Sequence, residues 1–186
     1  KKKKKPWDAG SARILAALGY EALATSSAGL AFSIGQQDSA ACISREAILQ
    51  NAQDIVNATN LPVSADLENG FGADPESCVM TISLAAKTGL VGGSIEDATG
   101  DPNNPIFDFN LAVERIAAAV EESRKHPFML TARAENFLHG KRDLDDTILR
   151  LRHSKRPVQM FFMHRGCLIS RQYARFVHLS PARLML

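Results

Sequence analysis

The chain is constrained most by a repeated alternation: short apolar, β-rich runs that end in polar residues, each followed by a longer segment of helical period. SARILAALGY places Ile14, Leu15 and Leu18 on one face, with Ser11 at the N-cap and Gly19 just past the helix end. ALATSSAG is a short apolar run that breaks into small residues. SREAILQNAQDIVNAT starts on a serine cap and carries Ile48, Ala52, Ile55 and Val56 at helical spacing, before the strand of LPVSADLENGFG. The cycle continues through DPESCVMTISLAAKTG, with Pro75 in the first turn and Gly89 at the end, and the strand LVGGSIED. FNLAVERIAAAVEESRKH and the strand FMLTARAEN follow, and DLDDTILRLR opens a last helix with acids in its first turn. Strands alternating with helices at this spacing predict a parallel sheet with crossover helices.

The polar residues of these strands sit at one end. Ser26 and Ser27, Asp66 and Glu68, Glu96 and Asp97, and Arg133 and Glu135 all fall at or just past the C-terminal end of an apolar run. In a parallel α/β sheet those ends share one rim, the usual place for a ligand. Any one of these residues would serve equally well as a helix cap or turn residue. Four rims with complementary chemistry are harder to assign to capping alone. Asp66, Glu68 and Glu96 brought together without a cation would repel one another and resist desolvation, which a hard divalent ion such as Mg²⁺ would relieve.

Composition bounds the rest. At 186 residues, 45% apolar and 23% charged, the chain is the size of one domain and is neither collagenous nor disordered. No run approaches the ~20 apolar residues of a membrane span, and no signal-peptide core is present, so the sequence reads as a soluble cytoplasmic protein. Cys42, Cys78 and Cys167 are widely spaced and read as reduced packing residues.

The net charge of +2 conceals three regions. Residues 1–5 are all lysine and read as a solvated tail; residues 6–152 carry 11 Lys and Arg against 20 Asp and Glu, a net of −9. Residues 153–186 hold six Lys and Arg, three His and no acid, and the βα alternation stops there. The expected organisation is thus a poly-Lys tail (1–5), a partial barrel domain (6–152) and a basic tail (153–186). Phe161, Phe162, Tyr173 and Phe176 form no nucleic-acid motif, which disfavours a nucleic-acid partner, and His153, His164 and His178 lack metal-ligand spacing.

WDAGSARILAALGYEALATSSAGLAFSIG, LPVSADLENGFG, GLVGGSIED and LTARAEN resemble, in order and spacing, consecutive blocks of the isocitrate lyase/phosphoenolpyruvate mutase family. The resemblance spans Trp7–Arg152. It implies a modified TIM barrel, here an incomplete (β/α)₈ barrel of about five βα units. It also implies Mg²⁺, a small 2-oxo acid substrate, enolate-like chemistry at a C–C or C–P bond, and homo-oligomers among full-length relatives.

Carried over by position, Ser27, Ala28 and Gly29 match the turn that holds the substrate carboxylate, with Ala28 in place of a usual glycine. Asp38 matches an acid near metal and substrate. Asp66 and Glu68 match the family's metal motif, Asp66 as direct ligand and Glu68 through water, and Glu96 completes the ion's surroundings. Arg133 matches the substrate-binding arginine, suited to bidentate carboxylate recognition, and Glu135 is its polar neighbour. Asp38 and Arg133 are the candidate catalytic residues.

Two departures narrow the activity. The lyases of the family carry a K-[KR]-C-G-H loop after the SIED strand, and here that stretch reads ATGDPNNPIFDFN, without Cys, His or Lys. The mutase-type gating loop is not reproduced either, although Gly100, Pro102 and Pro105 suit a lid or an ordinary turn equally. The expectation is a Mg²⁺-dependent lyase, mutase, decarboxylase or hydrolase of the mutase-like branch. The alternatives are an inactive, truncated member or a basic-tailed binding protein.

Overall fold

Alternation along each strand decides the architecture of the sheet. In the computed structural model, residues 4–38, 42–153 and 159–162 are described. Five strands, β1 (Leu23–Ala24), β2 (Val63–Asp66), β3 (Gly92–Glu96), β4 (Met129–Ala134) and β5 (Gln159–Phe162), pair in sequence order, every pair parallel. The register sets Asp66 beside Ser94, Ser94 beside Thr131 and Glu96 beside Arg133. Because successive side chains point to opposite faces, these residues share one face with Ser64. Val63, Ala65, Leu67, Ile95, Leu130 and Ala132 occupy the other and form the core with the helices. One face of the sheet is therefore apolar and covered, and the opposite face is polar.

The helices are α1 (Ala9–Ala17), α2 (Ser27–Ser33), α3 (Arg45–Asn57), α4 (Pro75–Lys87), α5 (Phe109–Ser123) and α6 (Leu144–His153). Helices α3, α4 and α5 follow the sequence reading: Ser44 caps α3, Pro75 opens α4, and Gly89 past the end of α4 takes φ +85°. Ile48, Ala52 and Ile55 of α3 are buried, as their spacing predicts.

Three local expectations are corrected. Asp8, not Ser11, is the N-cap of α1; Ser11 is its partner three residues on, its N–H donating to Asp8 at 2.6 Å while its Oγ accepts from the Asp8 N–H. The charged acceptor one turn earlier takes the cap, so the helix starts sooner. The apolar face of α1 also differs: Ala12 and Leu15 meet the core, whereas Ile14 and Leu18 are 63% and 69% exposed. Small Ser11 and Ala12 permit the closer approach. Helix α2 is an element that the sequence reading omits; Ser26 initiates it by accepting the Gly29 N–H.

Lys4 and Gln159–Phe162, near the two limits of the described residues, both join the sheet. Lys4 makes a parallel bridge to Leu23, its carbonyl accepting the Ala24 N–H at 2.9 Å, and Pro6 is fully buried. The backbone at Lys4 thus runs alongside β1, while the Lys4 and Lys5 side chains are exposed. Beyond α6, β5 pairs with β4 within the region set apart by its basic composition. Residues 163–186 lie outside the described residues, and with them His164, Cys167, Tyr173, Phe176 and His178. Among the described residues no helix is long and apolar enough to cross a membrane; Cys78 is buried and Cys42 exposed.

Candidate active site

The C-terminal ends of β1 to β4 form one polar rim. Thr25, just past β1, is buried, and its Oγ1 accepts the backbone N–H of Asp66 at 3.0 Å, which locks the end of β2 against β1. Asp66 in turn accepts the Glu68 N–H at 3.3 Å, and the Glu68 carbonyl accepts the Glu96 N–H at 2.9 Å. The backbone turns sharply here: Glu68 has φ +48° and Phe71 φ +61°. Left-handed backbone at non-glycine residues costs on the order of 1–2 kcal/mol each and recurs at functional sites.

Arg133 is the hub. Its Nη1 lies 3.2 Å from both carboxylate oxygens of Asp66, its Nη2 contacts Glu96, and its Nε lies 3.0 Å from Glu135 Oε1. The Nε and Oε1 atoms are buried and in ion-pair contact, yet out of hydrogen-bond alignment. The guanidinium therefore joins three carboxylates from three different strands or their loops. With Asp97 beside them, four acids face two guanidiniums, Arg133 and Arg150. Burial pushes the Glu135 carboxyl above the usual range; Arg133 opposes that shift, and Asp97 and Asp66 reinforce it.

Asp97 supports the rim from behind. It is buried, its Oδ1 accepts the Glu135 N–H at 2.8 Å, and its Oδ2 pairs with Arg150 Nη1 at 3.3 Å. Burial raises its carboxyl as well, against those two contacts. Arg150 also bonds Asp146 and the Phe107 carbonyl, so α6 is tied to the β3 end.

The structure thus brings together Asp66, Glu68, Glu96, Arg133 and Glu135. Ser27, Ala28 and Gly29 lie in the first turn of α2, where the Gly29 N–H is already taken by Ser26. Asp38 is exposed after α2, and no hydrogen bond or ion pair among the described residues joins it to the rim. The stretch after Glu96 is a pinned turn: Ala98 and Ile106 form an antiparallel bridge, the Thr99 N–H donates to the Pro105 carbonyl, and Asn69 Nδ2 donates to the Thr99 carbonyl. Sequence reasoning omitted Thr25, whose hydroxyl has no motif around it, and Arg115 of α5, which looks like a helix surface charge but is fully buried.

The donor chemistry fits a hard divalent cation, since every ligand available is a carboxylate oxygen and acids outnumber bases. Among the described residues no group of three His, Cys, Asp or Glu side chains stands assembled as a ligand cage. The guanidinium of Arg133 sits between Asp66 and Glu96 instead.

Residues 4–155 match the family model described as phosphoenolpyruvate phosphomutase. A probable 2-methylisocitrate lyase of Corynebacterium glutamicum is 29% identical over 146 residues, which is 75% of this chain and 46% of that protein. The chain thus spans less than half the length of this curated relative. A crystal structure of a provisionally named lyase/mutase from Burkholderia cenocepacia J2315 superposes with a TM-score of 0.79 at 49% identity, covering 90% of this chain and 69% of that one. Oxaloacetate acetylhydrolase in complex with its product oxalate aligns at 27% identity and a TM-score of 0.74, over 82% of this chain and 54% of that one.

Proposed function

Because the chain belongs to the phosphoenolpyruvate phosphomutase family, we propose that it carries the site of an enzyme that acts on a small 2-oxo acid through an enolate-like species. The observation that carries this reading is the set of contacts from one guanidinium to Asp66, Glu96 and Glu135 at the strand ends. Such a cluster is balanced for exchange. Asp66 and Glu96 would hold Mg²⁺, with Glu68 acting through water. The ion would supply Lewis-acid polarisation of the oxo group and stabilise developing negative charge.

Arg133 then has donors to spare. Its Nη1 and Nη2 groups, which contact Asp66 and Glu96, would pair with the planar carboxylate of the substrate, which a guanidinium fits in bidentate fashion. Glu135 keeps its hold on Nε and so aims the fork. Ser27, Ala28 and Gly29 receive the same carboxylate from the α2 side. Asp38 enters the site from its exposed loop as the second candidate catalytic residue.

The reaction type follows from what the β3–α5 turn lacks. Without Cys, His or Lys in residues 98–110, the cysteine-dependent cleavage of the family's lyases has no reacting group there. Hydrolysis, decarboxylation or phosphoryl migration at a 2-oxo acid are the chemistries left to this rim.

The test uses oxalate, a planar mimic of the enolate of a 2-oxo acid. Calorimetric titration with oxalate should show binding only when Mg²⁺ is present, and Asp66→Ala should abolish it with helix content unchanged by circular dichroism. Equal binding by that variant would remove Asp66 from the site. No binding by the parent chain would reject the reading itself.

A further inference from the structure

Behind the acidic rim lies a third arginine that the proposed chemistry does not use. Arg115 projects from the middle of α5, is 1% exposed, and packs its guanidinium 4.1 Å from the centre of the Phe107 ring. Its Nη1 and Nη2 groups donate to the backbone carbonyls of Gly72 and Asn69. Burial lowers its basicity, while neighbouring Cys78, Asp74 and Asp97 act in the opposite direction.

Those two carbonyls belong to the turn that follows β2 and displays Asp66 and Glu68. The turn contains the two left-handed non-glycine residues, Glu68 and Phe71. It is knotted locally by the Gly70 N–H to the Leu67 carbonyl at 2.9 Å and by the Phe71 N–H to Asn69 Oδ1 at 3.0 Å. Asn69 also reaches the Thr99 carbonyl, and Phe107 closes the turn after β3. One cation therefore grips the β2 turn through hydrogen bonds and the β3 turn through a ring face. A buried guanidinium satisfied by carbonyls is costly to place, and an apolar side chain would pack α5 against α4 without that cost.

We propose that Arg115 is a positioning residue. It holds the Leu67–Gly72 turn in the strained conformation that presents the Asp66 and Glu68 carboxylates to the ligand, and it sets that turn against the one that follows Glu96. The inference rests on the proposed use of Asp66 and Glu68 in binding, but its structural half is independent of any ligand. Arg115 is not catalytic, since nothing places it against a reacting atom.

The experiment compares Arg115→Met, Arg115→Lys and Ile116→Val in the full chain. Ile116→Val removes one methyl from the same helix and reports what ordinary loss of packing does. Amide hydrogen exchange of the unliganded proteins is read first. Arg115→Met should raise exchange at residues 67–72 at least tenfold over Ile116→Val, with the β3–β4 ladder unchanged, and Arg115→Lys should recover part of the protection. Titration with oxalate in Mg²⁺ is read second, and Arg115→Met should bind at least tenfold more weakly than Ile116→Val.

Equal exchange at 67–72 in Arg115→Met and Ile116→Val, or a rise spread evenly over the sheet, would overturn the inference. Local loosening with unchanged oxalate affinity would overturn it too, because the turn would then need no holding for binding. If the parent chain binds no oxalate, the proposed function fails, and the exchange comparison still decides whether Arg115 holds the turn.

Discussion

Arg133 Nη1 lies equidistant, 3.2 Å, from the two carboxylate oxygens of Asp66, and the same guanidinium reaches Glu96 and Glu135. Its side chain is only 14% exposed, so the carboxylates around it are poorly screened by water. Arg133→Met should leave them buried and uncompensated, at a cost of ~3–5 kcal/mol by analogy with broken buried pairs. Like charges left together repel most when all of them are ionised, so the loss should be larger at pH 8 than at pH 5. Millimolar Mg²⁺ should return part of the melting temperature at pH 8. Melting curves at both pH values, with and without the ion, check this; a pH-independent loss would mean that Arg133 acts by packing alone.

The buried acids give a pH signature of opposite sign to ordinary acid denaturation. Glu135 has its folded-state pKa raised by burial, above the value in the unfolded chain. Between those two values the folded state binds more protons, so stability is lost as pH rises through the window and is fully present below it. Asp8 and Asp74, held low by backbone and side-chain hydrogen bonds to Ser11 and Ser77, contribute the usual opposite slope, which mixes with it in the parent. The difference between Glu135→Gln and the parent isolates the term. Relative to the parent, that variant should gain stability as pH rises from about 4 towards neutrality. A falling difference would show that Arg133 outweighs burial at this carboxyl.

The rim was readable in sequence because strand ends in a parallel sheet are a consequence of topology. Once the order of βα units is known, the residues after each apolar run must share one edge, and Asp66, Glu96 and Arg133 do. What sequence could not supply was which acid the guanidinium would take, since that depends on register: Glu96 stands directly beside Arg133, whereas Asp66 is one strand further away. Start and face of α1 were missed for a similar reason. Ser11 and Asp8 are equally good caps by composition, and only the reciprocal bond between them selects the earlier one. Lys4 pairs with Leu23 through its backbone, to which a run of lysines gives no clue.

Gly93 illustrates how tightly the rim is backed. A Cβ there would lie 2.6 Å from Leu67 Cδ1 and 3.1 Å from Phe128 Cζ. Leu67 is itself fully buried and immediately follows Asp66, so it has no room to retreat. Gly93→Ala should cost ~1–3 kcal/mol as overpacking, read as a lower denaturation midpoint with an unchanged slope. An unchanged midpoint would mean that Leu67 finds another rotamer and that the core behind Asp66 is looser than the contacts indicate.

Thr25 separates stability from binding. Its Oγ1 is the acceptor for the Asp66 N–H, in a buried setting. Thr25→Val keeps the shape and removes the acceptor, leaving an N–H without its partner at the residue proposed to carry the ion; the penalty is ~1–3 kcal/mol. Thr25→Ser keeps the acceptor and removes only a methyl group. If the hydroxyl fixes Asp66, Thr25→Val should weaken Mg²⁺-dependent oxalate binding several-fold more than Thr25→Ser at a temperature where both are folded. Should the two variants bind alike while differing in melting temperature, the bond stabilises the β1–β2 edge and does not set the position of the carboxylate.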